Sequence, residues 1–346
     1  MPTILGTLRR VLLTPGLADV TFRVRGFPGA DSPAAETLEA IPRSVICGFE
    51  WGIEAKTLWE VEQRLALVEP RQRGFAYEGA AMAATVRDAM AGGRGKRAKE
   101  LLDGPGEPHL FLTYIGIGFA MARLPRVLWK KVIPELAASP YHPTMTWLAV
   151  DGYGFDRAYF QTRRWVDQQR VPKPYPWEGS GEYFLRAFDQ GVGRALWFIH
   201  GARPDAVTEA VNRFAPHRHA DLWSGVGLAA TFAGGCDEPG LIRLRAASGA
   251  HWAELALGVV FALKARTYAG FTPPHSELAA RALTGLSVSA AVEIGDGTAA
   301  DPWGTGLDPA YERWRERIRT RLVATTVAQA VAQTSADRVP EGEALH

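Results

Sequence analysis

Apolar residues along this chain recur at helical rather than strand spacing. Residues 36–55, 57–67, 75–90, 109–123, 143–168, 190–200, 204–214, 219–233, 249–267, 276–293 and 309–331 all read as helices. Gly and Pro punctuate them at Gly92-Gly93, Gly104-Pro105-Gly106, Pro172–Pro176, Gly234-Gly235 and Pro273-Pro274. Asp308-Pro309 has the form of a helix start, Asp as cap and Pro in the first turn. Alternating strand runs are scarce; Thr21–Val24 is a short candidate with no hairpin partner. The pattern predicts an all-α fold.

The helical pattern repeats. Trp51-Gly52-Ile53 aligns with Trp197-Phe198-Ile199, and Tyr77–Thr85 with Trp223–Thr231, both at an offset of 146. Further on, His109, Gly116 and Phe119-Ala120 align with His251, Gly258 and Phe261-Ala262, and His142 and Gly152 with His275 and Gly285. This collinear set predicts a duplicated helical unit with two pseudo-twofold-related halves, in which 75–90 superposes on 221–236 and 109–123 on 251–265. The expected organisation is an N-terminal arm (1–30), a first helical repeat (31–168), a Pro-rich linker (169–188), a second repeat (189–305), a C-terminal helix (306–333) and a disordered tail (334–346).

Composition narrows the class. Hydrophobic residues are 47% and charged residues 22% of 346, as in a globular chain with a sizeable core. Lys and Arg exceed Asp and Glu by 39 to 37, which lacks the cationic excess of a nucleic-acid binder. The two cysteines, Cys47 and Cys236, suggest neither a disulfide framework nor a zinc site. The longest uncharged apolar stretches, Leu110–Ala122 and Leu222–Cys236, fall short of the ~20 residues that span a bilayer. The N-terminus has Arg9 and Arg10 inside its apolar run, unlike a signal peptide. The expectation is a cytoplasmic protein with no membrane span.

The repeat sorts candidate chemistry, because a residue kept in both copies serves the scaffold. Glu78 is the lone charge between Phe75 and Val86, and its counterpart is Ser224. A carboxyl on an apolar helix face has a raised pKa unless a cation meets it, which suits a general acid or base. The competing reading is a buried salt bridge to Arg73 or Arg123. Asp151 and Asp156, in Asp151-Gly152-Tyr153-Gly154-Phe155-Asp156, have no counterpart in 284–289. Asp151 reads as a second proton-transfer group or as the cap of a kink; Asp156 as a third catalytic candidate or a solvated ion pair with Arg157. His109, His251, His142 and His275 recur in both copies and read as scaffold. His217, His219 and Asp221 alternate as metal ligands can, but a polar first helical turn explains them as well. The basic turn Gly92–Arg97 lacks the phosphate-loop pattern. The helix from Tyr311 to Gln333, with Arg313, Arg315, Arg317, Arg319 and Arg321, reads as a solvated outer helix. No metal and no cofactor are expected. Tyr77, Tyr114, Trp147, Tyr153 and Trp223, with Ser224, are the candidate walls of a cavity for a flat or polyunsaturated apolar ligand.

Gly74-Phe75-Ala76-Tyr77-Glu78-Gly79-Ala80-Ala81-Met82, Asp151–Phe155, Gly193–Phe198 and Arg218–Thr231 together resemble the UnbL-type proteins of enediyne gene clusters, a family of unknown function, as does Tyr311-Glu312-x-Trp314-Arg315. The resemblance runs from about residue 30 to 325. It implies a bacterial natural-product pathway in which such proteins accompany a polyene-producing synthase and other accessory proteins. It carries no catalytic residues. The expected function is an enzyme that converts or cyclises a hydrophobic polyene or isoprenoid chain by acid–base chemistry. The alternative is a non-catalytic polyene-binding or assembly protein, with other proteins of the cluster as partners.

Overall fold

A computed structural model describes residues 4–93, 95–136 and 139–336. Arg94 of the basic turn and residues 337–346 of the expected tail lie outside the described residues. Sixteen α-helices account for most of the described chain, which contains no strand. They are α1 (Ile4–Leu13), α2 (Phe22–Arg25), α3 (Pro33–Glu54), α4 (Leu58–Ala66), α5 (Pro70–Met90) and α6 (Arg97–Leu102). Next come α7 (Leu110–Met121), α8 (Trp147–Phe160), α9 (Gly181–Ile199), α10 (Pro204–Asn212), α11 (His219–Ala233) and α12 (Glu238–Ser248). Last are α13 (Trp252–Tyr268), α14 (Pro274–Thr284), α15 (Val288–Gly297) and α16 (Ala310–Ala336).

The all-helical class holds, with local corrections. Thr21–Val24 is a helical turn, its Thr21 hydroxyl accepting from Val24 N at 3.3 Å. α9 begins at Gly181, inside the expected linker, because Ser180 caps it through Tyr183 N at 3.3 Å. The expected helix 276–293 divides at Gly285, whose φ of +76° ends α14. The Asp237-Glu238-Pro239-Gly240 run starts α12 rather than a loop: Asp237 accepts from Gly240 N at 2.9 Å, and Pro239 needs no helical N–H. One continuous helical run, Glu238–Tyr268, is apolar and long enough to cross a bilayer by composition, but its apolar window is 56% buried within the protein.

A glycine code joins the seven core helices α3, α5, α7, α8, α9, α11 and α13. Gly79 lies against the carbonyl of Val45, Gly116 against Glu78, Gly152 against Ile115, Gly191 against Asp151, Gly225 against Gln190 and Gly258 against Ser224. Two residues beyond, Gly118 meets Ala149 O, Gly154 meets Phe188 O, Gly193 meets Leu222 O and Gly227 meets Leu255 O. A Cβ at any of these positions would overlap the facing carbonyl oxygen. As one helix advances, its partner positions run backward, so neighbours are antiparallel. The recurring unit is therefore one helix with one junction, a finer repetition than two halves. The Pro172–Pro176 segment does not divide the protein, since α8 and α9 on either side of it share a junction.

The series curls, bringing α11 and α13 back against α5 and α7. Phe75 packs edge-to-face on Phe232 at 5.3 Å, and Phe111 on Tyr268 at 5.8 Å. Gly225→Ala is expected to lose about 1–3 kcal/mol by overpacking against backbone that cannot retreat alone. Gly297→Ala, with nothing within 4 Å of the added carbon, should be neutral or slightly stabilising. Chemical denaturation of both variants tests this; equal stabilities would refute the close-approach account.

Candidate functional site

The residue just before the first glycine of each junction sits where two helices approach most closely. On successive core helices this position is Glu78, Ile115, Asp151, Gln190, Ser224 and Leu257. Four of these are polar, so one repeat position delivers a belt of polar side chains into an apolar interior. All four are buried.

Glu78 is 2% exposed, and its Oε1 has no hydrogen-bond partner. It lines two adjoining cavities between the core helices, the second of which reaches outward to Arg123 and Phe160. The first is walled chiefly by Phe75, Phe111, Phe198, Phe232 and Phe261, the second by Phe49, Phe75, Phe119, Phe155 and Phe198. Glu78, Arg194, Phe75 and Phe198 belong to both and form the partition between them. Burial pushes the Glu78 carboxyl up to about 8, against the pull of Arg194 and with a further push from Asp151.

Asp151 is wholly buried and lies behind Arg194, outside the cavity walls. Its Oδ1 accepts from Arg194 Nη1, and its Oδ2 accepts from Gln190 Nε2 at 2.8 Å. Gln190 also exchanges hydrogen bonds with the Tyr311 hydroxyl at 3.1 and 3.2 Å. Burial raises the Asp151 pKa, opposed by Arg194 and Gln190. Arg194 stacks over Phe155 at 5.0 Å, which fixes the guanidinium between the two carboxyls. The arrangement is one cation held by one carboxylate, with a second carboxyl left free at a hydrophobic surface.

The competing reading of Glu78, a buried salt bridge to Arg73 or Arg123, is not what forms. Arg73 donates to Ala66 O and Val68 O at 3.1 Å each, and Arg123 pairs with Asp156. Asp156 lines the second cavity, buried beneath the exposed Arg123 that it pairs with, and is not a solvated partner of Arg157. None of Tyr77, Tyr114, Trp147, Tyr153, Trp223 or Ser224 lines either central cavity. Tyr77 stacks on His109 at 4.6 Å, and the Tyr114 hydroxyl meets His142 Nδ1 at 3.0 Å. Trp147 packs on Tyr183 at 4.8 Å and Tyr153 on Trp129 at 4.9 Å. Trp223 is buried between the helices, and Ser224 Oγ is buried without a partner. Helical phase accounts for the difference: Phe75, Glu78 and Met82, three and four apart, share the face turned to the cavities, and Tyr77 points elsewhere. Phenylalanine, which carries no polar tip, supplies most of the aromatic wall; Tyr159 also lines the second cavity, its hydroxyl donating to Val20 O at 3.0 Å.

The C-terminal α16 is not a solvated outer helix. Tyr311, Trp314, Arg315, Ile318 and Leu322 are buried, Arg315 completely. Arg315 donates to Asp221 at 2.9 Å, Glu312 at 3.0 Å and the Tyr183 hydroxyl at 2.8 Å. Burial alone would raise Glu312, but Arg315, Arg186 and Arg319 hold it at about 2. This clamp seats Tyr311 against Gln190, and so supports Asp151 and Arg194. Asp221 belongs to the clamp, and His219 Nε2 lies 2.7 Å from Phe214 O. Among the described residues no group of three or more His, Cys, Asp or Glu could hold a metal ion. Arg194 and Gln190, central to the site, were missed among the candidates, although the shared pattern Glu78-Gly79, Asp151-Gly152, Gln190-Gly191, Ser224-Gly225 pointed to one of them.

Neither the curated proteins nor the solved structures give a match. Residues 4–322 match the DUF1702 family, described as a protein of unknown function, and with nearly its whole length covered the chain belongs to that family.

Proposed function

We propose that this protein binds an elongated, apolar, unsaturated molecule in the central cavities and moves a proton on it through Glu78. The observation that carries this reading is the unpartnered, buried Glu78 carboxyl on a wall shared by two phenylalanine-lined cavities. A carboxyl titrating near 8 is available in both protonation states near neutral pH. As carboxylate it takes an allylic proton, and as acid it returns one to another carbon of the same chain. The double bonds shift with no net loss of electrons, so no redox partner is needed. Arg194 stabilises the carboxylate state, and Asp151, Gln190 and Tyr311 position Arg194.

A carrier without chemistry has no need of an ionisable group there, where burying it uncompensated is costly. That favours the enzyme over the non-catalytic binding or assembly protein. The sequence motifs shared with UnbL-type proteins support a conjugated polyene of a bacterial natural-product pathway as the substrate. The two cavities hold only about 40 and 70 Å³ of free space, so a polyene that occupies both requires the Phe75 and Phe198 rings that part them to swing aside.

Anaerobic incubation with a synthase-derived polyene, followed by absorbance and mass spectrometry, tests the reading. Turnover should fall about 10²–10⁴-fold in Glu78→Gln. Where proton abstraction limits the rate, activity should rise with pH and level off above about 8. Full activity in the folded Gln variant would refute the role of Glu78.

A further inference from the structure

Next to the first cavity lies a third, of about 240 Å³, whose partly apolar lining includes the cationic or ring-nitrogen groups of Arg73, His109 and Arg266. It shares Leu112 and Phe232 with the apolar cavity, so the two are separated only by these side chains. No carboxylate lines it. Arg266 is 4% exposed and makes no ion pair; its Nη1 donates to Arg71 O at 3.1 Å and its Nη2 to Phe232 O at 2.7 Å. Its Nε is buried with no partner. The guanidinium lies over the Phe232 ring at 3.8 Å, and Phe232 in turn packs on Phe75. A buried cation without a counter-charge, with an unused N–H, beside an apolar cavity is an incomplete ion pair.

Resting on the function proposed above, we propose that the Arg73–Arg266 cleft binds the anionic headgroup, a carboxylate, of the long-chain ligand whose apolar tail occupies the phenylalanine cavities. The headgroup completes the ion pair that the fold leaves open. It also sets the register of the chain, so that one particular segment stops at Glu78. Selection by headgroup follows: a neutral ester or alcohol of equal length leaves Arg266 unpaired.

The test uses cis-parinaric acid, a fluorescent conjugated polyene carboxylate, its methyl ester, and a polyprenyl monophosphate, titrated into the full chain. The acid should bind at least ten times more tightly than the ester. Arg266→Met should abolish that preference and leave ester binding unchanged; Arg73→Gln, on a less buried residue, should reduce it and guards against misfolding of the first variant. Equal binding of acid and ester by the unaltered protein overturns the headgroup site and leaves the apolar cavity standing. Binding of neither removes the cavity reading and the headgroup site with it. Binding of the monophosphate in strong preference to the acid overturns the carboxylate assignment.

Discussion

Glu78→Gln is expected to make the protein more stable at neutral pH. In the unfolded chain the carboxyl titrates near 4.5; in the fold it is held up to about 8. Between these values the folded protein keeps a proton that the unfolded chain has released, so stability declines as pH rises across the window. Below it the two side chains are both neutral and the variant should match the parent. At pH 7 the variant should lead by about 3 kcal/mol, and by more above pH 8. Urea denaturation at pH 4.5, 7 and 8.5 measures the difference directly. A variant less stable than the parent at pH 8.5 would mean that Glu78 is ionised and paired, and would remove the argument for a free acid at the cavity wall. Greater stability combined with lost turnover is the signature of a group kept for chemistry at a cost in folding.

Arg194→Met is expected to act in the opposite direction. It leaves the Asp151 carboxylate buried without its cation and should cost about 3–5 kcal/mol. Adding Asp151→Asn restores a neutral partner for Gln190 and should recover most of that loss. The same single change removes the Arg194 charge that pulls the Glu78 pKa down, so the pH limb of activity in the surviving folded fraction should move above 8. A single variant within about 1 kcal/mol of the parent, or a double variant whose loss equals the sum of the two single losses, would show that the pair is not a unit.

How far the sequence reveals this site depends on what each residue's neighbours can disclose. The lone charge in Phe75–Val86 exposed Glu78, because burial of a carboxyl in an apolar run is a one-dimensional fact. The pairing of Asp151 with Arg194 was not legible, because Arg194 sits 43 residues away in a helix with other polar residues. The aromatic walls were misjudged for a related reason. Tyr77 and Trp223 are large and lie beside the key positions, but which side of a helix faces a cavity depends on how neighbouring helices are set, and the glycine junctions decide that. Arg315 looked like one of a solvated series until α16 lay against α9 and α11, where Tyr183 and Asp221 wait for it, with Glu312 one turn before it on α16 itself.

The glycine junctions also bear on how the chain reaches this state. Each joins core helices that follow one another, bridging between 28 and 40 residues, so each helix can dock on its predecessor as soon as it has formed. The contacts that bring the curled series together are different. Arg266 reaches Arg71 across 195 residues, and Phe232 must find Phe75. Loop closure over that length comes late, after the local junctions have shortened the distance to be spanned. The first cavity beside Glu78 takes part of its wall from Phe232 on α11 and Phe261 on α13, so in a nascent chain emerging from the ribosome it cannot close until α13 has been made, whereas every residue of the second is already present once α9 is complete.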